Sequence, residues 1–285
     1  MALVTLREIL KGSVENRYAV GSFNAANHSM AEAILEASEE LGTPVILAVA
    51  EVHFRYFDLD RFAAYVRRRI EEVKTPVALH LDHGRSTDVV KRCLDLGFSS
   101  VMIDASQQPY EGNVRITDSV VQLARTSGAS VEAELGCVGG GEGNYVEGSV
   151  ANRDDFTNPD LVPDFVARTG VDALAVAIGT VHGPYKGQPV LDLERLQEIR
   201  RKTDVPLVLH GGSGLSDEDF RNVVASGINK VNFYTECSLA AAAKVAGLIQ
   251  SGKPVGYPDL TAAGGREVKR IVMKQIGVFG TPRVV

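Results

Sequence analysis

The stretch VALHLDHG (residues 77–84) has the pattern that decides the fold: an apolar, strand-like run that ends in polar, reactive side chains. The same pattern recurs in AVAIGTVHG (175–183) and LVLHGGSG (207–214), and each stretch has a histidine near its end. Continuous apolar runs of this kind are typical of parallel strands that are covered on both faces. The three stretches therefore predict strands of one parallel sheet.

Similar apolar runs alternate with helical patterns along the whole chain. Eight strands are predicted, near residues 18–23, 44–49, 76–82, 99–104, 130–135, 172–178, 206–210 and 230–233. The intervening helices are predicted to end at glycines, namely Gly42, Gly97, Gly128, Gly170 and Gly227. Eight strand–helix units in 285 residues are typical of a (β/α)8 TIM barrel. We therefore predict an α/β fold with a single TIM-barrel domain over 1–285 and extra C-terminal helices near 236–250 and 264–277.

Composition excludes several classes of protein. A hydrophobic fraction of 45% with 23% charged residues is typical of an ordinary globular protein with a large core. The net charge of −6 and the lack of a long Lys/Arg run argue against nucleic acid or an anionic membrane as partner. Three widely spaced cysteines predict neither a disulfide framework nor a thiolate zinc site, and no export signal or membrane span is recognisable. We expect a cytoplasmic protein.

The histidines at the strand ends predict a metal site. Active sites of TIM barrels lie at the carboxyl ends of the strands, which is where His83, His182 and His210 fall. Zn²⁺ readily takes imidazole nitrogens, and three protein ligands leave a coordination position open for a substrate. The sequence therefore predicts a mononuclear metal enzyme.

Strand five carries two carboxylates where the other strands carry aliphatic side chains. Period-two alternation places Glu132 and Glu134 on one face. Buried carboxylates need a metal, a cation or strong hydrogen-bond donors, so we interpret the pair as functional rather than as part of a solvated edge. His80, inside strand three, is predicted to be an interior group and not a ligand, while His28 and His53 stay unassigned.

A second pattern is a set of glycines after the last strands. Exposed backbone amides at this place commonly bind phosphate in TIM barrels, although GGSG (211–214) by itself also suits a tight turn. Beside the histidines, the pattern favours a phosphate site. Its predicted members are Gly183, Lys186, Gly211, Gly212, Ser213, Asn232 and Thr235, with Asn24 at the end of strand one.

Seven stretches in order resemble the class II, zinc-dependent ketose-bisphosphate aldolases, which include the fructose- and tagatose-bisphosphate enzymes. They are GSFN (21–24), LHLDHG (79–84), SVMIDAS (100–106), VEAELG (131–136), AIGTVHG (177–183), LHGGSG (209–214) and KVNFYTE (230–236). The resemblance implies a cytoplasmic lyase of carbohydrate metabolism and glycolysis. Such an enzyme cleaves a phosphorylated ketose into dihydroxyacetone phosphate and an aldehyde, and it is a homodimer or homotetramer.

The resemblance also implies roles for particular residues. The three strand-end histidines would bind the zinc, with Asp104 and Glu134 beside it or at an alternative metal position. Asp82 would move the proton of the C4 hydroxyl, and Glu142, on a Gly-rich loop at 136–148 that we expect to be mobile, would remove the C3 proton of dihydroxyacetone phosphate. The amide-rich segments would bind the phosphate, with a monovalent cation (Na⁺ or K⁺) nearby.

Three departures from the family pattern fall on the side of the aldehyde. Ala50 replaces a serine, Tyr234 replaces an aspartate, and the 256–266 segment lacks the usual phosphate-binding arginine motif. A second phosphate thus lacks its usual partners, for which Arg266, His53 and Arg55 are candidate substitutes.

These departures leave alternative functions open. The substrate could be fructose or tagatose 1,6-bisphosphate, or instead a ketose 1-phosphate or a sugar-acid phosphate such as deoxy-keto-phosphogluconate. A metal-dependent barrel hydrolase would need a His-x-His on strand one, where this chain has FNAAN (23–27). A non-catalytic sugar-phosphate binder would not need the histidines, Asp82 and Glu142 together.

Overall fold

The computed structural model describes residues 2–140 and 150–285. The strands in those ranges are β1 (Val20–Asn24), β2 (Val45–Ala50), β3 (Val77–Gly84), β4 (Ser100–Ile103), β5 (Ser130–Leu135), β6 (Gly139–Gly140), β7 (Ala173–Val176), β8 (Val181–His182), β9 (Leu207–Leu209) and β10 (Ile228–Phe233). The α-helices are α1 (Leu6–Ile9), α2 (Ser13–Asn16), α3 (His28–Leu41), α4 (Leu59–Glu72), α5 (Thr87–Asp95), α6 (Tyr110–Arg125), α7 (Val162–Thr169), α8 (Leu193–Lys202), α9 (Asp217–Ala225), α10 (Thr235–Gln250) and α11 (Tyr257–Val278). Short 3₁₀ helices cover Glu51–Tyr56, Arg153–Asp155 and Pro159–Leu161.

Eight of these strands close into a barrel. Their order is β1-β10-β9-β7-β5-β4-β3-β2, and the neighbouring pairs are parallel. The remaining strands, β6 and β8, form a separate parallel pair. The predicted (β/α)8 TIM barrel is confirmed, and all eight predicted strands correspond to barrel strands. Within the described ranges, no helix has the length and apolar character that crossing a membrane requires.

The helices end where glycine allows it. All five glycines predicted at helix ends have positive φ, and Gly170, with φ of 67°, directly follows α7. A residue with a Cβ atom is strained in that conformation. At the start of several helices, a polar side chain caps the first turn; Asn27 accepts a hydrogen bond from the amide of Met30 at 2.9 Å at the start of α3.

The last helix begins earlier than predicted. The sequence predicts a helix near 264–277, yet α11 begins at Tyr257 with a proline in its first turn. Gly265 lies where α11 crosses α3, and a Cβ atom there would be 2.7 Å from Ser29 Oγ. Close packing against α3 therefore accounts for this glycine inside the helix.

The barrel interior is apolar near the amino ends of the strands and polar nearer their carboxyl ends. Helix α1 inserts Leu6, Ile9 and Leu10 against the apolar inner side chains of the strands, including Val20 and Ile46. The next layers towards the carboxyl ends are polar and fully buried; they contain Ser22, His80, Ser100, Glu132 and Lys230. A second apolar layer lies between the strands and the outer helices. The polar layers therefore lie directly below the mouth of the barrel.

Candidate active site

An irregularity in β3 brings His83 to the mouth. Strict alternation from the interior positions of His80 and Asp82 would point His83 away from the barrel axis. The register between β3 and β4 shifts after Leu81, and His83 has φ of +45°. A non-glycine residue in this region costs about 1–3 kcal/mol and is typical of functional sites. The bulge lets Asp82 and His83 serve one site.

The three predicted histidine ligands meet. His210 Nδ1 lies 2.8 Å from His83 Nε2, and the ring centroid of His182 lies 4.8 Å from that of His83. One ring nitrogen from each histidine lies within 4.8 Å of the others. His182 Nε2 is buried and has no hydrogen-bond partner among the residues that the structure describes. The cluster therefore forms a group that could hold a metal ion.

Carboxylates hold the opposite ring nitrogens of two of these histidines. Asp104 Oδ2 lies 2.8 Å from His83 Nδ1, and Glu132 Oε1 lies 2.8 Å from His210 Nε2. Asp104 is itself fixed by hydrogen bonds from the backbone amide and hydroxyl of Ser106. Such outer carboxylates orient imidazoles for a metal and leave the other nitrogen available. These contacts match the donor set that zinc requires.

The protonation states also suit a cation. Burial, and secondarily the neighbouring His83, lowers the pKa of both His182 and His210, so these imidazoles are neutral ligands at neutral pH. Burial alone would raise the pKa of Asp104, but hydrogen bonds from His83 and Ser106 outweigh it and hold that pKa well below its usual range.

Glu134 belongs to a second possible ligand set. Its carboxylate, Asp104 and His83 each place one ligand atom within 4.8 Å of the others. Burial, together with the charge of Asp104, raises the pKa of Glu134 to about 8. Glu134 Oε1 accepts a hydrogen bond from the amide of Val138, while Oε2 lies 3.4 Å from His210 Nδ1. A positive ion here would stabilise the ionised form of Glu134.

Asp82 lies between two amides at the same mouth. Asn24 Nδ2 donates to its Oδ2 at 2.7 Å, and Asn232 Nδ2 donates to its Oδ1 at 2.8 Å. Burial raises the pKa of Asp82, but the neighbouring His83 and, more weakly, Lys230 outweigh it and hold the pKa well below its ordinary value. Asp82 is therefore an ionised, oriented carboxylate that can accept a proton from a bound substrate.

A buried lysine, which we did not predict, lies between the metal-binding histidines and Asp82. Lys230 Nζ lies 2.8 Å from Glu132 Oε2 and donates to Asn232 Oδ1 at 2.6 Å. Lys230 and Glu132 are both fully buried. One cation thus joins the carboxylate behind His210 to the amide that holds Asp82. Lys230 occupies an interior position two residues before Asn232, so period-two alternation along β10 could have revealed it.

Removing this cation should destabilise the barrel. We expect Lys230→Met to lower the free energy of unfolding by about 3–5 kcal/mol, because it leaves the charge of Glu132 buried without its partner. Lys269→Met is the matched control, since Lys269 pairs with the more exposed Glu36 and Glu40 and should cost only about 0–1 kcal/mol. Urea denaturation of the two metal-free variants measures both values. Equal losses would contradict a structural role for the Lys230 pair.

Glycines and a helix start form a cradle beside the histidines. Gly211 has φ of +66°, and a Cβ atom there would lie 2.4 Å from the Val181 carbonyl oxygen. The amide of Tyr234 donates to Ser213 Oγ at 3.4 Å, and α10 begins at the next residue. Amides at a helix start favour an anion. One pocket is lined by Asn24, His53, Asp82, His182, Gly183, Gly211, Gly212, Ser213, Asn232, Phe233, Tyr234 and Thr235.

One predicted substrate-binding residue is not brought into this pocket. Lys186 lines a separate outer pocket with Phe156 and Val190. Glu142 lies outside the described residues, as does most of the Gly-rich loop predicted at 136–148. The described start of that loop, at Gly140, pairs with His182 across β6 and β8.

The departures from the family pattern have clear positions. Ala50 is fully buried and pairs with Asp82 across β2 and β3. The 256–266 segment forms the start of α11, where Arg266 is exposed. Arg55 is also exposed, with its guanidinium over the ring of Tyr56. Of the three candidate substitutes for a phosphate partner, only His53 lines the pocket.

Comparisons with known proteins cover the whole barrel. Residues 4–282 match the family model for class-II fructose-bisphosphate aldolase. The fructose-bisphosphate aldolases of Staphylococcus epidermidis and Geobacillus stearothermophilus are 43% and 41% identical to this chain, and each alignment covers 99% of the chain and 98% of the relative. The crystal structure of the YdjI aldolase from Escherichia coli K12 is similar, with a TM-score of 0.86 and 32% identity over 98% of both chains.

Proposed function

The chain belongs to the class II fructose-bisphosphate aldolase family, and on this premise we propose that it reversibly cleaves a phosphorylated ketose into dihydroxyacetone phosphate and an aldehyde. Members of this family are carbon–carbon lyases that act on sugar phosphates. The observation that carries the proposal is the position of Asp82, an oriented carboxylate, directly beside three convergent histidines.

We infer that Zn²⁺ is the ion that His83, His182 and His210 hold. The supporting features are the neutral imidazoles of His182 and His210, the outer carboxylates of Asp104 and Glu132, and the unpartnered Nε2 of His182. When bound, such an ion supplies Lewis-acid stabilisation of the negative charge that develops as the carbon–carbon bond breaks.

The side chains and backbone amides of the chain transfer the protons and bind the phosphate. Asp82 accepts the proton of the C4 hydroxyl while the C3–C4 bond breaks; C4 becomes the aldehyde, and the electron pair stays with C3 in the enediolate of dihydroxyacetone phosphate. Glu142 then donates a proton to C3 and removes it in the reverse reaction. The amides around Gly211 and Thr235 bind the phosphate. Asn24 and Asn232 hold Asp82 in place through their amide groups.

This scheme needs no lysine Schiff base. Lys230, which lies inside the barrel, is held by Glu132 and Asn232 and does not line the pocket. Borohydride added with substrate should therefore trap no covalent adduct.

Hydrogen exchange tests the proposal without an aldehyde. We expect the zinc-loaded enzyme to exchange the C3 proton of dihydroxyacetone phosphate with D₂O, as followed by NMR. Glu142→Gln should slow this exchange by about 10²–10⁴-fold while phosphate binding persists, because only the proton acceptor is lost. Glu71→Gln, on the exposed face of α4, is the control. A stable lysine adduct, or no exchange by the wild-type enzyme, would contradict the proposed function.

A further inference from the structure

His53 occupies a position in the pocket that the mechanism above does not use. It lies in the 3₁₀ helix that follows β2, while Tyr234 follows β10, and these two strands flank β1 in the barrel. The His53 and Tyr234 ring centroids are 4.4 Å apart. Both residues line the pocket that contains Asp82. His53 and Tyr234 therefore form one wall of the substrate pocket.

The polar atoms of His53 have no protein partner in the described structure. His53 is 1% exposed, and within residues 2–140 and 150–285 neither of its ring nitrogens has a hydrogen-bond partner. Buried polar side-chain atoms are nearly always hydrogen-bonded, and leaving one unpaired costs about 1–3 kcal/mol. A fully buried imidazole without a partner on a pocket wall is thus matched to a polar group of the ligand.

The charge of His53 limits what that group can be. Burial lowers the pKa of His53 to about 4, despite the opposing effect of Asp82, so the imidazole is neutral at neutral pH. A neutral imidazole has one donor and one acceptor nitrogen, which a hydroxyl can match with both its hydrogen and its lone pairs. A phosphate dianion has only acceptors and favours cationic partners.

The surroundings of His53 disfavour a second anion. Among the described residues, no lysine or arginine lines this pocket, and Asp82 adds a negative charge to it. The two arginines considered from the sequence, Arg55 and Arg266, lie on the exposed surface. The backbone amides of the glycine cradle line the same pocket and remain for the phosphate of dihydroxyacetone phosphate.

We propose that His53 is a specificity-determining residue that hydrogen-bonds a hydroxyl of the aldehyde half, so that the enzyme selects a neutral, hydroxylated aldehyde over a phosphorylated one. The substrate class in the cleavage direction is a ketose 1-phosphate without a second phosphate. This inference rests on the proposed aldolase function.

Condensation of dihydroxyacetone phosphate with three aldehydes tests the inference. The probes are glyceraldehyde, propanal, which has the same carbon chain without hydroxyls, and glyceraldehyde 3-phosphate. We expect kcat/KM for the wild-type enzyme to be no higher with glyceraldehyde 3-phosphate than with glyceraldehyde. His53→Ala should lower kcat/KM for glyceraldehyde by about 10-fold and for propanal by less than about 3-fold, because only glyceraldehyde loses a hydrogen bond. Comparing variant with wild type cancels the intrinsic reactivity of each aldehyde.

Two further variants separate recognition from folding. His53→Gln keeps one donor and one acceptor and should recover part of the glyceraldehyde rate. His28→Ala, a histidine that packs on Phe62 and Tyr65 outside the pocket, should leave both rates unchanged. Equal losses for both aldehydes in His53→Ala, or a wild-type preference for glyceraldehyde 3-phosphate, would overturn the inference. If the wild-type enzyme still exchanges the C3 proton, the proposed function survives that outcome; without exchange, the proposed function itself fails.

Discussion

Asp82→Ala is expected to lower kcat for ketose phosphate cleavage by about 10²–10⁴-fold, the usual contribution of a positioned general base. The carboxylate is ionised and held between Asn24 and Asn232, so it is ready to accept a proton before the substrate arrives. No other described carboxylate lines the same pocket. Steady-state cleavage measured beside zinc content by atomic absorption checks the expectation.

The outcome must separate proton transfer from metal binding. Asp82→Ala should retain its zinc, because His83 is held by its hydrogen bond with Asp104 and not by Asp82. Asp95→Ala, which removes an exposed aspartate paired with Lys91 on α5, is the control and should cleave at the wild-type rate. Cleavage by Asp82→Ala at the control rate would place the proton acceptor elsewhere. Loss of zinc would instead show that Asp82 acts through the metal site.

The fold could be predicted from the sequence because each barrel strand is covered on both faces. Such strands appear as continuous apolar runs, and the helices between them end at glycines with positive φ. The start of α11 was harder to predict. The predicted segment began near 264, whereas α11 begins at Tyr257, and Gly265 inside this helix lies close to Ser29 of α3.

The site residues at the ends of strands could be predicted from the sequence. The contacts that cross the barrel were harder to predict. The carboxyl ends of parallel strands meet at one mouth, so His83, His182 and His210 could be grouped without coordinates. The bulge that turns His83 inwards depends on the register with β4, which a single strand does not show.

Two other features join distant parts of the chain. The Lys230–Glu132 pair links β10 to β5, and the contact between the His53 and Tyr234 rings depends on which strands flank β1. Period-two alternation places Lys230 inside the barrel, but no local spacing encodes which residue Lys230 or His53 contacts. The sequence therefore left His53 unassigned, although His53 lines the pocket.

The metal requirement has the largest expected effect. Chelated, metal-free protein should show no detectable cleavage, because the three imidazoles have no ion to hold and the developing charge has no Lewis acid beside it. Losing an outer hydrogen-bond partner of a ligand lowers metal affinity by roughly 10–100-fold. His210→Ala removes a ligand itself, so its zinc affinity should fall by more than that. His28→Ala is the matched control, since His28 lies on α3 outside the cluster.

Titration of the metal-free protein with Zn²⁺, with cleavage of a ketose phosphate followed at each addition, tests the central claim most directly. We predict that activity rises linearly and reaches a plateau at one ion per chain, and that His210→Ala gives no such rise at the same concentrations. Full activity in the metal-free protein, or the same titration curve for His210→Ala, would contradict a catalytic ion held by His83, His182 and His210.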